Sequence, residues 1–171
     1  MVRALPILHE NDMAEFQGTP TAQGRRFVVI ASRFNEAITQ KLVDGAMDAL
    51  LKHGATYDDV DLVWVPGAWE LPGAARRLMS GERYDGIVAL GAVIRGDTPH
   101  FDYVAGECAR GLADASHEFE LPVGFGVLTC DTVEQAEARA GGEHGNKGWD
   151  AALAAMEMVD LFDRLDVDDA D

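Results

Sequence analysis

The sequence is poor in cysteine and in positive charge. Only two cysteines occur in 171 residues, Cys108 and Cys130, in no Cys-x-x-Cys spacing. That excludes a disulfide framework, suits a reducing, cytoplasmic compartment, and leaves buried packing as the expected role of both thiols. Fourteen Lys and Arg stand against thirty Asp and Glu, a formal net charge of −16. Such an excess of acid argues against nucleic acid or an anionic membrane surface as partner, although a local field can still favour small anionic substrates. No apolar run is long enough to span a bilayer. The first residues, "MVRALPILHENDMAEF", have too short an apolar segment for a secretory signal and meet acids early. Neither Gly-x-Gly-x-x-Gly nor Gly-x-x-x-x-Gly-Lys-Ser/Thr occurs, so no standard dinucleotide or nucleoside-triphosphate site is expected. The five histidines show no His-x-His or His-Glu-x-x-His spacing, so no structural or catalytic metal is expected either.

What is present alternates. "RRFVVIAS" (Arg25 to Ser32) is a β-branched run without polar alternation, which predicts a strand covered on both faces. From Glu36 to His53 the apolar spacing is helical, and Gly54 should end that helix. "DLVWVPG" predicts a second buried strand, "WELPGAARRLMS" a short helix, "YDGIVALGAVI" a third strand, and Pro99 to about Phe119 a helix. "PVGFGVLT" is the fourth strand. Asp131 with Glu134 suggests a capping box opening "TVEQAEARA", and "NKGWDAALAAMEMVDLF" a last long helix. One α/β domain is expected, a doubly wound parallel four-stranded sheet with helices on both faces. It should occupy residues 25–163, after a poorly ordered extension (1–24) and before an acidic tail (164–171).

In such sheets ligands sit beyond the carboxyl ends of the strands, where this chain reads "SRFNE", "PGAWELP", "GAVIRGDTPH" and "TCDT". The third loop is the most suggestive. Thr98 before a proline suits a helix cap, and Pro99 the first helical position. His100 then falls in the first turn, where the helix dipole disfavours an imidazolium and leaves a base able to take up a proton during reaction. The amides around Gly96 to Thr98 could hold a phosphate. A surface histidine on a well-capped helix is the plain alternative. Phe34 could stack on a heterocycle or merely staple its helix. Glu70 could bind hydroxyls or simply favour a helix N-terminus. Arg139 suits a helix C-terminus, Lys147 a solvated helix start, Phe125 the core, and His53 a helix end.

Taken together, "RFN", "PGAWELP", "ALGAVIRGDTPHFDYV", "PVGFGVLT" and "EARAGGEHGNKGWDAA" closely resemble the 6,7-dimethyl-8-ribityllumazine synthase family over roughly Phe27 to Phe162. The resemblance implies a flavodoxin-like fold. It also implies a transferase-type step of riboflavin biosynthesis without cofactor or metal, joining 5-amino-6-(D-ribitylamino)uracil to 3,4-dihydroxy-2-butanone 4-phosphate. By the same resemblance Phe34 stacks on the pyrimidine, Ala68, Trp69 and Glu70 hold the ribityl chain, and Ala92, Val93 and Ile94 meet the pyrimidine edge. Asp97 and Thr98 offer amides to the phosphate, and His100 moves protons. Phe125 and Arg139 come from a neighbouring subunit, the first closing over the ring and the second binding phosphate; Lys147 matches the family's "GNKG" lysine.

The implied assembly is a homo-oligomer, a pentamer first of all, with higher assembly of pentamers and association with riboflavin synthase as further implications. "GGEHG" departs from the usual Gly-Thr-Lys-x-Gly and counts against a shell. Asp97 stands where glutamate or alanine is common, without consequence for a backbone amide. Two rivals share the architecture: the archaeal-type riboflavin synthase, and a non-catalytic flavin- or lumazine-binding protein.

Overall fold

Six consecutive apolar or small residues, Phe27–Ser32, form strand β1, and all six are buried. Helix α1 (Glu36–Lys52) follows, then β2 (Val60–Val65), a 3-10 turn (Ala68–Glu70), α2 (Leu71–Met79), β3 (Gly86–Ile94), α3 (His100–Phe119), β4 (Val123–Cys130), α4 (Val133–Arg139) and α5 (Lys147–Asp168). This computed structural model describes residues 7–8 and 13–168. The four strands form one parallel sheet in the order β2-β1-β3-β4. Helices α1, α4 and α5 cover one face, through Leu42, Ala46, Ala136, Ala152 and Met156. Helices α2 and α3 cover the other, through Leu71, Ala75, Cys108 and Leu112. The expected α/β architecture is therefore the observed one. No helix of the described residues is long and apolar enough to cross a membrane.

Three local expectations change. The second strand is expected to be buried, but it lies at the sheet edge and leaves Leu62 42% exposed. Thr98 does not cap α3; Pro99 holds the N-cap position and no side chain caps this end. At α4 the cap is Thr132 rather than Asp131: its hydroxyl accepts from the Gln135 amide at 3.2 Å, while Gln135 Oε1 accepts from the Asp131 amide at 2.8 Å. Gly54 does follow the end of α1, at φ 104°.

The described part of the N-terminal extension lies against α5. The Thr19 amide donates to Asp160 Oδ2 at 2.8 Å, and Ala22 is fully buried. Arg25 and Arg164 donate to the same carboxylate at 2.9 and 2.8 Å. Helix α5 itself runs into the expected acidic tail, as far as Asp168; residues 169–171 lie outside the described residues. Burial alone would push the Asp160 carboxyl up, but the Thr19 amide and the two guanidiniums together hold it below the usual value. A carboxyl with a depressed folded pKa stabilises the fold above its unfolded pKa, about 3.9, and loses that contribution as pH falls through the folded value. Asp160→Asn should therefore cost about 2 kcal/mol at pH 7, with the deficit shrinking at pH 3. Urea midpoints at the two pH values measure it.

Helix α5 sits unusually close to its neighbours. A Cβ on Gly148 would lie 2.0 Å from the Leu42 carbonyl oxygen, and one on Gly124 would lie 2.1 Å from that of Ala151. Backbone cannot yield as a flexible side chain would, so Gly148→Ala should destabilise by about 3 kcal/mol. A urea midpoint within error of the parent protein would contradict this close approach.

Candidate active site

In the order β2-β1-β3-β4 the connections reverse between β1 and β3, and ligands bind at such a switch point. A cleft of about 830 Å³ opens there. Phe34 reaches it from the turn after β1. The Arg33 and Phe34 amides donate to the Val65 and Pro66 carbonyls at 2.8 and 3.0 Å, which fixes this turn to the end of β2. The Phe34 ring is 71% exposed, so it does not staple the helix. Asn35 adopts a left-handed conformation, φ 61°, which Asn tolerates better than most residues. Its Nδ2 donates to the Ala92 carbonyl at 2.8 Å, across the switch point.

The 3-10 turn after β2 supplies Ala68, Trp69 and Glu70. Glu70 Oε2 accepts from the Gly67 amide at 3.0 Å, and Oε1 has no protein partner among the described residues. The carboxylate is thus oriented by its own turn while one oxygen stays available. Ala92, Val93 and Ile94 form the wall at the end of β3, and Gly96, Thr98 and His100 line the rim beyond them. The amides of Gly96, Asp97 and Thr98 donate to no protein acceptor among the described residues. Exposed amides at the start of a helix make a ready anion cradle. His100 is the first residue of α3, exposed and facing the cleft with Phe101, Tyr103 and Val104.

Of the expected site residues, the cleft gathers Phe34, Ala68, Trp69, Glu70, Ala92, Val93, Ile94, Thr98 and His100, with Asp97 in the turn between two lining residues. Phe125, Arg139 and Lys147 are not part of it. Phe125 is 48% exposed on the edge strand β4, where it pairs with Ala89. Arg139 ends α4 and donates to the Gln135 carbonyl at 3.0 Å. Lys147 opens α5 and pairs with Asp150 at 2.8 Å. Among the described residues no lysine or arginine lines the cleft. Sequence reasoning missed Asn35, Arg95 and Tyr103. A short polar residue in a strand-to-helix turn could have singled out Asn35, and a cation directly after a strand Arg95. Both cysteines are buried. Burial pushes the Cys108 thiol up to about 11 and raises that of Cys130, so neither is a ready thiolate.

The model of the family described as 6,7-dimethyl-8-ribityllumazine synthase matches residues 24–163. A 6,7-dimethyl-8-ribityllumazine synthase of Gemmatimonas aurantiaca is 66% identical over 152 residues, 89% of this chain and 93% of that protein. One of Aquifex aeolicus is 52% identical over 153 residues, 90% of this chain and 99% of that protein. With the match running through every strand of the sheet and every loop of the cleft, the chain belongs to the 6,7-dimethyl-8-ribityllumazine synthase family.

Proposed function

We infer that the chain makes 6,7-dimethyl-8-ribityllumazine, condensing 5-amino-6-(D-ribitylamino)uracil with 3,4-dihydroxy-2-butanone 4-phosphate and releasing phosphate and water. The observation that carries this reading is the composition of one cleft. It sets an exposed ring (Phe34), a carboxylate with a free oxygen (Glu70) and a histidine (His100) around a turn with three unused amides. The ring offers a stacking face for the pyrimidine, the carboxylate an acceptor for the ribityl hydroxyls, and the turn a seat for the phosphate. The primary amine and the ketone form an imine with loss of water. β-Elimination then breaks the carbon–oxygen bond and expels phosphate. The resulting enol tautomerises, and attack of the second nitrogen closes the ring with loss of a further water. Each step moves a proton, which one histidine at the cleft can both accept and return.

A cleft without a cation is incomplete for a phosphorylated substrate, and this supports a shared site. Arg139 and Phe125 stand outside the cleft of their own chain, and a head-to-tail contact that closes into a ring would bring a neighbour's pair to it. The functional unit on this reading is a homo-oligomeric ring, a pentamer. Lys147 is kept by its Asp150 pair at the start of α5, and its part in such a site is secondary.

Incubation with both substrates, following lumazine absorbance and free phosphate together, tests the reaction. One phosphate should appear per lumazine. Consumption of lumazine without phosphate release would indicate a riboflavin synthase instead, and tight binding without turnover a carrier.

A further inference from the structure

The end of α3 that carries His100 is only partly buried, with Val104 packed against the core and no fully buried side chain. The buried residues of this helix are Cys108, Leu112 and Ala115, so its first two turns put no side chain fully into the core. The N-terminus has no side-chain cap. Yet this end must hold both the histidine and the phosphate turn in place.

One residue outside the helix reaches this end from the sheet. Arg95 directly follows β3, and its amide donates to the Cys130 carbonyl at 2.9 Å, which carries the β3–β4 pairing one residue past the strand. From that fixed backbone the guanidinium reaches in two directions. Its Nη1 donates to Asp102 Oδ1 at 3.3 Å, and its Cζ lies over the Phe101 ring, 4.3 Å from the ring centre. It therefore grips the two residues that follow His100 and closes a clamp across the Gly96–Pro99 turn. Its Nε donates to Asp131 Oδ1 at 2.9 Å. The Asp131 amide bonds Gln135 Oε1, and the Gln135 carbonyl accepts from Arg139. A continuous set of contacts thus joins the first turn of α3 to the arginine that ends α4.

We propose that Arg95 is a positioning residue: it sets His100 and the phosphate turn through Asp102 and Phe101, and Arg139 through Asp131. The proposal rests on the reading of His100 and Arg139 given above. Exposed ion pairs contribute little to global stability, whereas a misplacement of about 1 Å at a reacting group can cost up to a hundredfold in rate. Losing the guanidinium should thus cost activity and spare the fold. Lysine cannot span two carboxylates and stack on a ring as a planar fork does, so its rescue should be partial.

The test compares Arg95→Met and Arg95→Lys with the parent, and with His100→Ala. The measurements are thermal unfolding, kcat and KM for each substrate, and amide hydrogen exchange. For Arg95→Met the melting temperature should stay within about 3 °C of the parent. Its kcat should fall about tenfold, and KM should rise severalfold for the butanone phosphate but not for the pyrimidine. Exchange should speed up from Gly96 to Val104 and stay unchanged from Cys108 onward, and Arg95→Lys should fall between parent and Met variant on every measure. Parent-like kcat and exchange in folded Arg95→Met would overturn the proposal, as would a loss of activity accompanied by uniformly faster exchange. If the Met variant does not fold, the Lys variant decides by the same pattern. His100→Ala keeps the two readings apart: when it loses turnover and Arg95→Met does not, the positioning role alone fails. When neither loses turnover, the reading of His100 fails first.

Discussion

His100→Ala should lower turnover by roughly ten- to a thousandfold while leaving the fold intact. General acid–base groups contribute about 10²–10⁴-fold, and an effect near or below the lower end of that span is expected because the condensation is governed largely by bringing an amine and a ketone together in the right orientation. The fold should survive because the imidazole is exposed and makes no hydrogen bond within the described part of the chain. Its KM values should move little, since the turn amides proposed to seat the phosphate are backbone groups that the substitution keeps. His100→Gln, which keeps a polar side chain but cannot cycle a proton, should be about as slow as the alanine variant. Turnover equal to the parent in a folded alanine variant would remove His100 from the chemistry.

Much of this site is legible in the sequence because the sheet is so regular. A short apolar run bounded by turn signals fits a strand covered on both faces, and β1 and β3 are such strands. Once strands and helices alternate, the loops beyond the strand ends must converge, and Phe34, Glu70 and His100 meet at the reversal between β1 and β3. What resisted reading depends on tertiary partners. Whether "DLVWVPG" lies inside or at an edge is decided by sheet order, which hydrophobicity alone does not encode. The cap of α3 misled because the fixed φ of proline suits the N-cap position as well as the first helical one; Pro99 takes the former with φ −70°. Arg95 reads as a lone cation after a strand, and its partner Asp131 lies 36 residues further along the chain. Asn35 looks like a cap but spends its side chain on Ala92, 57 residues away.

Arg139→Ala should raise KM for the butanone phosphate by about tenfold to a hundredfold and that for the pyrimidine by far less. A charge-assisted contact from arginine to a phosphate oxygen contributes about 1.5–3 kcal/mol, and lysine in its place should recover only part of it. Removing this side chain frees only the Gln135 carbonyl, which is already bonded within α4, so stability should change little. Among the described residues no lysine or arginine lines the cleft of the same chain, so on the proposed reading the arginine that meets the phosphate comes from another copy, and the defect should be transferable. Mixing folded but impaired His100→Ala and Arg139→Ala proteins, at a butanone phosphate concentration well below the raised KM and under conditions of proven subunit exchange, should restore activity, because some interfaces will pair a wild-type histidine with a wild-type arginine. In a five-membered ring with random mixing at equal amounts, about one quarter of the sites should carry both. Recovery near that fraction supports shared sites. Exchange without recovery, or full activity in an isolated monomer, would mean that no site pairs the histidine of one chain with the arginine of another, and would defeat the shared site.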